Sequence, residues 1–194
     1  AFIGQEAHHS KEHEALNNCM ERKGYDLKEI DARMRTFNDY MRKQTPASQL
    51  ADTVCGEHIT ALMADYLLAK HPEVFDEMHP SLAKIWVWHA IEETEHKAVA
   101  FDVYDQIVGD RNLLRIKMAQ TTVFFFGLNT MQAFKMMGRS GQMSNLKMWR
   151  EAGSFLFGMM RELRKDYMKF YNRDFHPWQH DNRNAVESMK NRYL

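Results

Sequence analysis

Apolar residues recur at intervals of three and four positions along most of the chain, a spacing that predicts α-helices. The alternating apolar and polar pattern that is typical of strands does not occur in the sequence. We therefore predict an all-α protein, a ferritin-like helical bundle of about six helices. Because 194 residues with 44% hydrophobic content suffice for one core, we expect a single helical domain over residues 1–194.

Glycine, proline and capping residues set the predicted helix bounds. The first helix runs from the start of the chain to about Lys23, where Gly24 follows as a C-terminal cap. The second begins at Asp26, with Glu29 three residues later as in a capping box. The other predicted helices are 46–72, 80–108, 112–138 and 144–171, and an aromatic tail at 175–181 packs on the bundle.

Several burial predictions follow from the apolar stripes. The fifth helix is the most apolar, and we interpret it as buried, because polar residues interrupt it before it reaches the ~20 apolar residues of a membrane span. His58 falls outside the inward stripe of its helix, so we expect it to be exposed. The inward positions of the second and fourth helices are predicted to include Met34, Ile85, Val99 and Val103.

Two of the predicted helices carry a triad of metal-ligand side chains on the inward stripe. The triads are Glu6, His9 and His13 in the first helix and His89, Glu92 and His96 in the fourth. Spacings of three and four residues return to one helix face, so each triad points in a single direction. Glu57 lies in the middle of the apolar stripe of the third helix. Acids and imidazoles on apolar faces are costly to bury unless a cation neutralises them, and we predict that these seven residues bind metal.

The predicted ligand set favours an open catalytic site. Two divalent ions and three carboxylates leave a nominal positive charge, which attracts a substrate or an anionic oxygen ligand. Glu57 is expected to bridge the ions with either Glu6 or Glu92, and we take Glu57 and Glu92 as the catalytic carboxylates. Mixed imidazole and carboxylate donors suit two, or even three, iron ions, and alternatively Zn or Mn.

Three functions are compatible with this site. The first is dioxygen-dependent oxidation of a small organic molecule at a non-haem di-iron centre. The second is hydrolysis of an ester, amide or phosphoester by two Zn or Mn ions that activate water. The third is a metal-binding helical protein without a substrate, which predicts no apolar pocket beside the ligands.

The charge balance limits the classes of binding partner that we expect, and the cysteines indicate the cellular compartment. Lys+Arg and Asp+Glu are equal at 26 each, so no whole-chain field recruits nucleic acid or an anionic membrane. Cys19 and Cys55 form no framework of disulfides, and we expect a cytoplasmic protein. The apolar fifth helix raises the alternative of a homodimer in which it packs against a second subunit. Because the chain opens in helical pattern at Ala1, we also expect an upstream segment.

Three stretches carry a resemblance to a known family. They read FIGQEAHHSKEH at 2–13, WHAIEETEHKAVAFDVY at 88–104 and FHPW at 175–178. The chain resembles the bacterial family of predicted metal-dependent hydrolases over essentially its whole length. That family is similar to ferritin-like, non-haem di-iron enzymes, and the resemblance implies that its Glu/His positions are the seven residues named above.

Overall fold

A computed structural model describes the backbone of residues 2–194 and the side chains of residues 4–194. The spacing of the first helix predicts that the Phe2 side chain faces inward, and this side chain lies outside the described residues. Within the described residues the chain is helical and contains no strand, so the all-α prediction is confirmed. The helices are α1 (Phe2–Arg22), α2 (Lys28–Arg42), α3 (Pro46–Asp65), α4 (Glu73–Asp76), α5 (Pro80–His96), α6 (Val99–Ile107), α7 (Arg111–Arg139), α8 (Leu146–Lys169) and α9 (Arg183–Tyr193).

The chain divides into two compact units, residues 1–50 and residues 51–194. The first unit contains α1, α2 and the start of α3. Gly24 ends α1 with φ +92°, a left-handed conformation that glycine adopts without steric cost. The Tyr25 N–H donates to the Met20 carbonyl and the Gly24 N–H to the Glu21 carbonyl, which is the Schellman motif expected at a helix C-terminus.

The second helix differs from its prediction in its first residue and in the exposure of its predicted inward face. It begins at Lys28, two residues after the predicted Asp26, and the Asp26 carboxylate accepts the Lys28 N–H at 3.1 Å. Met34, predicted to face inward, is 47% exposed. Leu27, just before the helix, is the buried residue of this region at 5% exposure. The residue that precedes α2 is therefore buried, whereas none of residues 28–42 is.

The second unit is built around α5. Its buried residues pack with α9, with α4 and with a π-helical turn, Tyr66–Lys70, that continues α3. This cluster consists of Ala64, Leu68, Phe75, Ala83, Val87, Ala90, Ile91, Val186 and Met189. A second cluster joins α3 and the π-helical turn to α8 and consists of Leu62, Tyr66, Met159 and Leu163. The core therefore fixes α5, which carries one of the two predicted triads.

The predicted fourth helix is interrupted. α5 ends at His96, and α6 begins at Val99 after a turn at Lys97 and Ala98. Ile85, Val99 and Val103 were predicted to face inward, but each is about 40% exposed. The prediction was wrong because a single stripe was extended through the interruption at Lys97 and Ala98, and because α5 buries the neighbouring face, which carries Ala83, Val87, Ala90 and Ile91.

α7 has the predicted start but not the predicted burial. The Asp110 carboxylate caps it by accepting the N–H groups of Asn112 and Leu113 at 2.9 and 3.0 Å. Its buried residues are confined to the first turns, at Leu114, Lys117 and Met118. The expectation of a buried helix is therefore wrong. Among the described residues, no helix is both long and apolar enough to cross a membrane.

Candidate metal centre

The α1 triad lies on one helix face, as the spacing predicts. The Nδ1 atom of His9 is 3.8 Å from a Glu6 carboxylate oxygen, and the His9 and His13 rings are 5.0 Å apart at their centroids. His9 and His13 each offer a ligand nitrogen within 4.8 Å of the other. His9 is buried at 8% exposure, whereas His13 opens to solvent. The helix therefore presents one acid and two imidazoles at a spacing that a metal ion can use.

A groove in the first unit runs beside this triad. It has a volume of about 650 Å³, within the range of pockets for small molecules. Its lining comes from α1 and from the start of α2, namely Glu6, His9, Ser10, His13, Glu14, Asn17, Asn18, Glu21, Leu27 and Asp31. Leu27 is the apolar member of this set, so the groove is polar and acidic.

The groove also affects the protonation of His13. Desolvation, and then repulsion from the neighbouring His9, lower the pKa of His13 below its usual 6.5. A lowered pKa keeps the imidazole neutral near pH 7, and the neutral form is the one that ligates metal.

The α5 triad occupies the interior of the second unit. Glu92 and His96 are buried at 6% and 2% exposure, and His89 is half-buried. Both ring nitrogens of His96 and one carboxylate oxygen of Glu92 are among the buried polar atoms. The Glu93 carboxylate lies 3.5 Å from His89 Nε2. Glu93 is thus placed to orient the His89 ring.

Glu57 lies on α3 and is half-buried, with one carboxylate oxygen buried. Its neighbour His58 was predicted to be exposed, and the structure corrects this, since His58 is 6% exposed. The His58 ring packs on Phe170 and Phe175 at centroid distances of 4.9 and 5.1 Å. Burial, and then the nearby Lys97 charge, lower the pKa of His58 to about 4. The sequence argument failed here because the aromatic residues that cover His58 come from distant parts of the chain.

The residues on α3 and α5 fit a bound cation. Glu57, Glu92 and His96 place carboxylate oxygens and imidazole nitrogens in the protein interior, where ionised acids are costly without a compensating charge. Imidazole and carboxylate are the donors that Zn, Mn and Fe accept. The donor set and its burial therefore agree with a metal centre on these helices.

A second buried polar cluster was not predicted from the sequence. It consists of Asp65, Lys97, His180 and Asn182, and we call it the tail-anchoring cluster. Lys97 Nζ donates to the His180 carbonyl at 2.7 Å and to the Asn182 side-chain oxygen at 3.0 Å. Asp65 accepts from the Asn182 amide at 3.0 Å and lies 3.0 Å from His180 Nε2. These contacts fix the segment before α9 against α3 and the end of α5.

The protonation states of this cluster follow from its contacts. The hydrogen bond to Asp65 raises the pKa of His180 above 6.5, although desolvation acts against it. Burial by itself would raise the pKa of Asp65, but hydrogen bonds from His180 and Asn182 outweigh it and hold the pKa below 3.8. Between pH 3.8 and 6.5, His180 is therefore cationic and Asp65 anionic.

Stability should depend on pH through this pair. The raised pKa of His180 gives stabilisation that is complete below 6.5 and is lost as the pH rises through the folded value. The lowered pKa of Asp65 gives stabilisation that is present above 3.8 and is lost as the pH falls through the folded value. We expect His180→Gln to destabilise most between pH 3.8 and 6.5 and less at alkaline pH. Urea unfolding of the wild type and the variant from pH 3.8 to alkaline pH measures this difference in stability. An equal loss of stability at every pH would contradict the prediction.

A comparison with known protein families identifies the family of this chain. Residues 1–181 match the family described as predicted metal-dependent hydrolase, and the chain belongs to that family. The family predicted from the sequence is thereby confirmed. No curated protein and no solved structure matches the chain. The family description favours the hydrolytic alternative over dioxygen-dependent oxidation.

Proposed function

We propose that the protein is a hydrolase that uses a bound divalent metal to cleave an ester, amide or phosphoester of a small molecule. The observation that carries the proposal is the burial of Glu92 and His96 on α5 in a chain of a metal-dependent hydrolase family. When bound, a divalent cation supplies Lewis acidity and lowers the pKa of water to near neutrality. The candidate ions are Zn, Mn and Fe.

The proposed ligands are the seven residues of the sequence prediction. They are Glu6, His9 and His13 on α1, Glu57 on α3, and His89, Glu92 and His96 on α5. Glu57 and Glu92 are proposed as the carboxylates closest to the chemistry, because each has a buried carboxylate oxygen. Glu93 acts as a positioning residue that holds the imidazole of His89 in one orientation.

The α1 groove supports a small substrate. A volume of about 650 Å³ accommodates a small organic molecule. Its polar lining supplies hydrogen-bond partners for a polar substrate, and it differs from the apolar pocket expected of an enzyme that acts on hydrocarbon or aromatic groups. A polar cleavable group, such as an ester or a phosphoester, fits this lining better. A metal-binding protein without a substrate also predicts a pocket that is not apolar, and the hydrolysis assay separates that function from the hydrolase.

Metal reconstitution tests the proposed function. The protein is stripped with a chelator, reloaded separately with Zn, Mn or anaerobic Fe(II), and assayed with p-nitrophenyl acetate, p-nitroanilide and bis-p-nitrophenyl phosphate. We expect at least one ion to restore hydrolysis above the rate of that ion free in solution. For the iron-loaded sample, dioxygen consumption is followed in parallel. Stoichiometric oxygen uptake, with no hydrolysis by any of the three loaded forms, would contradict the proposal and support oxidation.

A further inference from the structure

The far end of the hairpin formed by α7 and α8 exposes large apolar side chains. We call residues 123–160 the hairpin tip. A turn at Gly141 connects the two helices of the hairpin. The rings of Phe134 and Trp149 pack against each other between the helices, with their centroids 4.7 Å apart. The exposed apolar residues of the tip are Val123, Phe124, Met131, Phe134, Met143, Leu146, Phe155, Leu156, Phe157 and Met160. The most open of them, Val123, Leu146 and Phe157, are 72%, 80% and 71% exposed.

On α7 the exposed apolar residues of the tip, together with Ile116 before it, form a stripe on one face of the helix. At about 100° per residue, the exposed residues Ile116, Val123, Phe124, Met131 and Phe134 fall within an arc of about 100° on the helix. The stripe extends for about 27 Å along the helix axis, since each residue adds ~1.5 Å. The buried residues Leu114 and Met118 lie on the opposite side. An apolar stripe of this length on an exposed face marks an interaction surface.

The charge of this part of the chain is strongly positive. Residues 111–150 contain seven Lys or Arg residues and no Asp or Glu. Arg111 pairs with Asp105 at 2.7 Å and Lys117 with Asp52 at 2.8 Å, and within the hairpin tip Lys147 lies 3.8 Å from the Glu151 carboxylate. The bases within the hairpin tip are Lys135, Arg139, Lys147 and Arg150, against the single acid Glu151. The whole-chain neutrality therefore conceals a local excess of positive charge.

The positive charge and the exposed apolar side chains together indicate which partner binds the hairpin tip. A second copy of the chain would bring two basic surfaces together, and like charges across an interface oppose association. An anionic bilayer offers phosphate groups to the bases and acyl chains to the apolar side chains at the same boundary. No helix among the described residues is suited to crossing a membrane, so the contact would be with the bilayer surface.

We propose that the hairpin tip docks on the surface of an anionic lipid bilayer. Phe, Leu, Met and Val side chains of the tip enter the boundary between headgroups and acyl chains, while the Lys and Arg side chains contact lipid phosphates. This proposal stands independently of the metal chemistry, because the tip contains none of the seven proposed ligands.

Vesicle co-sedimentation of the full chain tests the proposal. Vesicles of phosphatidylcholine alone are compared with vesicles that also contain phosphatidylglycerol. We expect binding to the mixed vesicles only, and a loss of binding as salt is added. Lys147→Gln and Arg150→Gln are each expected to weaken binding about fivefold, because one surface cation contributes about that factor. The exposed base Lys84 lies outside the tip on α5, and Lys84→Gln is expected to bind as the wild type does.

A second pair of variants separates the apolar contribution. Phe157→Ser removes an exposed apolar group of the tip, and Ile107→Ser removes one outside it that is 74% exposed. We expect only Phe157→Ser to weaken vesicle binding, with helix content unchanged in both variants. Equal binding to neutral and anionic vesicles, or no binding to either, would overturn the proposal. A concentration-dependent dimer that Phe157→Ser dissociates, in a protein that does not sediment with vesicles, would assign the surface to a second copy instead.

Discussion

Glu92→Gln and His96→Asn are each expected to lower metal-dependent hydrolysis by about 100-fold or more. Removing a residue that only supports a ligand already costs ~10–100-fold in metal affinity or activity, so losing a ligand should cost at least the upper value. Both side chains are buried on α5, where solvent cannot replace the lost donor at low cost. The measurements are metal content by mass spectrometry and initial rates with the best model substrate.

Glu95 provides the matched control on the same helix. Its carboxylate is exposed and forms an ion pair with Lys190 at 2.8 Å, so Glu95→Gln removes a charge one residue away from His96 without touching the proposed site. We expect this variant to keep its metal and its rate. Wild-type metal content in both Glu92→Gln and His96→Asn would remove these residues from the ligand set.

Asp65→Ala is expected to produce the largest loss of stability, about 3 kcal/mol in the free energy of unfolding. Deleting one partner of a buried ion pair costs ~3–5 kcal/mol, and we take the lower value because the His180 side chain is 35% exposed, whereas the Asp65 side chain is 4% exposed. Asp65 is 3% exposed and interacts with both His180 and Asn182, and the Lys97 ammonium is buried in the same cluster. The variant removes the acceptor of the Asn182 amide and the nearer of the two acids beside His180, the other being Asp166 at 3.8 Å.

Two further variants make this prediction specific. Asp65→Asn keeps a side-chain oxygen that accepts a hydrogen bond, and we expect it to be less destabilised than Asp65→Ala. Asp76→Ala removes an exposed acid that accepts hydrogen bonds from the Arg192 guanidinium and the Tyr193 hydroxyl, and we expect a smaller loss because solvent replaces these contacts. Urea unfolding of the three variants checks the order. A loss in Asp76→Ala as large as in Asp65→Ala would show that the tail-anchoring cluster has no special role.

Local sequence signals predicted the helices well where the chain itself supplies the signal. Gly24 ends α1 through its positive φ, and Asp110 starts α7 through two hydrogen bonds to backbone N–H groups. Both devices act within a few residues, so they are visible in the sequence. The same holds for the α1 triad, whose spacing of three and four residues places Glu6, His9 and His13 on one face.

Burial was harder to predict because it depends on distant segments. His58 is covered by Phe170 and Phe175, more than a hundred residues later in the chain. α9 was not predicted at all, since its sequence carries few apolar residues, and it forms by packing Val186 and Met189 against α5. The apolar stripe of α7 was interpreted as core on composition alone, and the structure exposes it.

The tail-anchoring cluster shows which sequence signal was available and overlooked. Asp65 and Lys97 are charged residues that fall at or beside positions of apolar stripes, one near the end of α3 and one directly after α5. Such residues are stable in the interior only when they find partners. The sequence could therefore indicate that partners exist, but the identity of His180 and Asn182 follows only from the fold.

The most direct test of the account is the position of the metal itself. Crystals of the protein loaded with Zn, Mn or Fe(II) would be measured at the absorption edge of the ion, and an anomalous difference map calculated. The account predicts a peak at a bonding distance of about 2.0–2.2 Å from a His96 nitrogen and a Glu92 oxygen. Ions bound only elsewhere, in protein whose hydrolytic activity depends on the added metal, would contradict the assignment of α5 as a metal-binding helix.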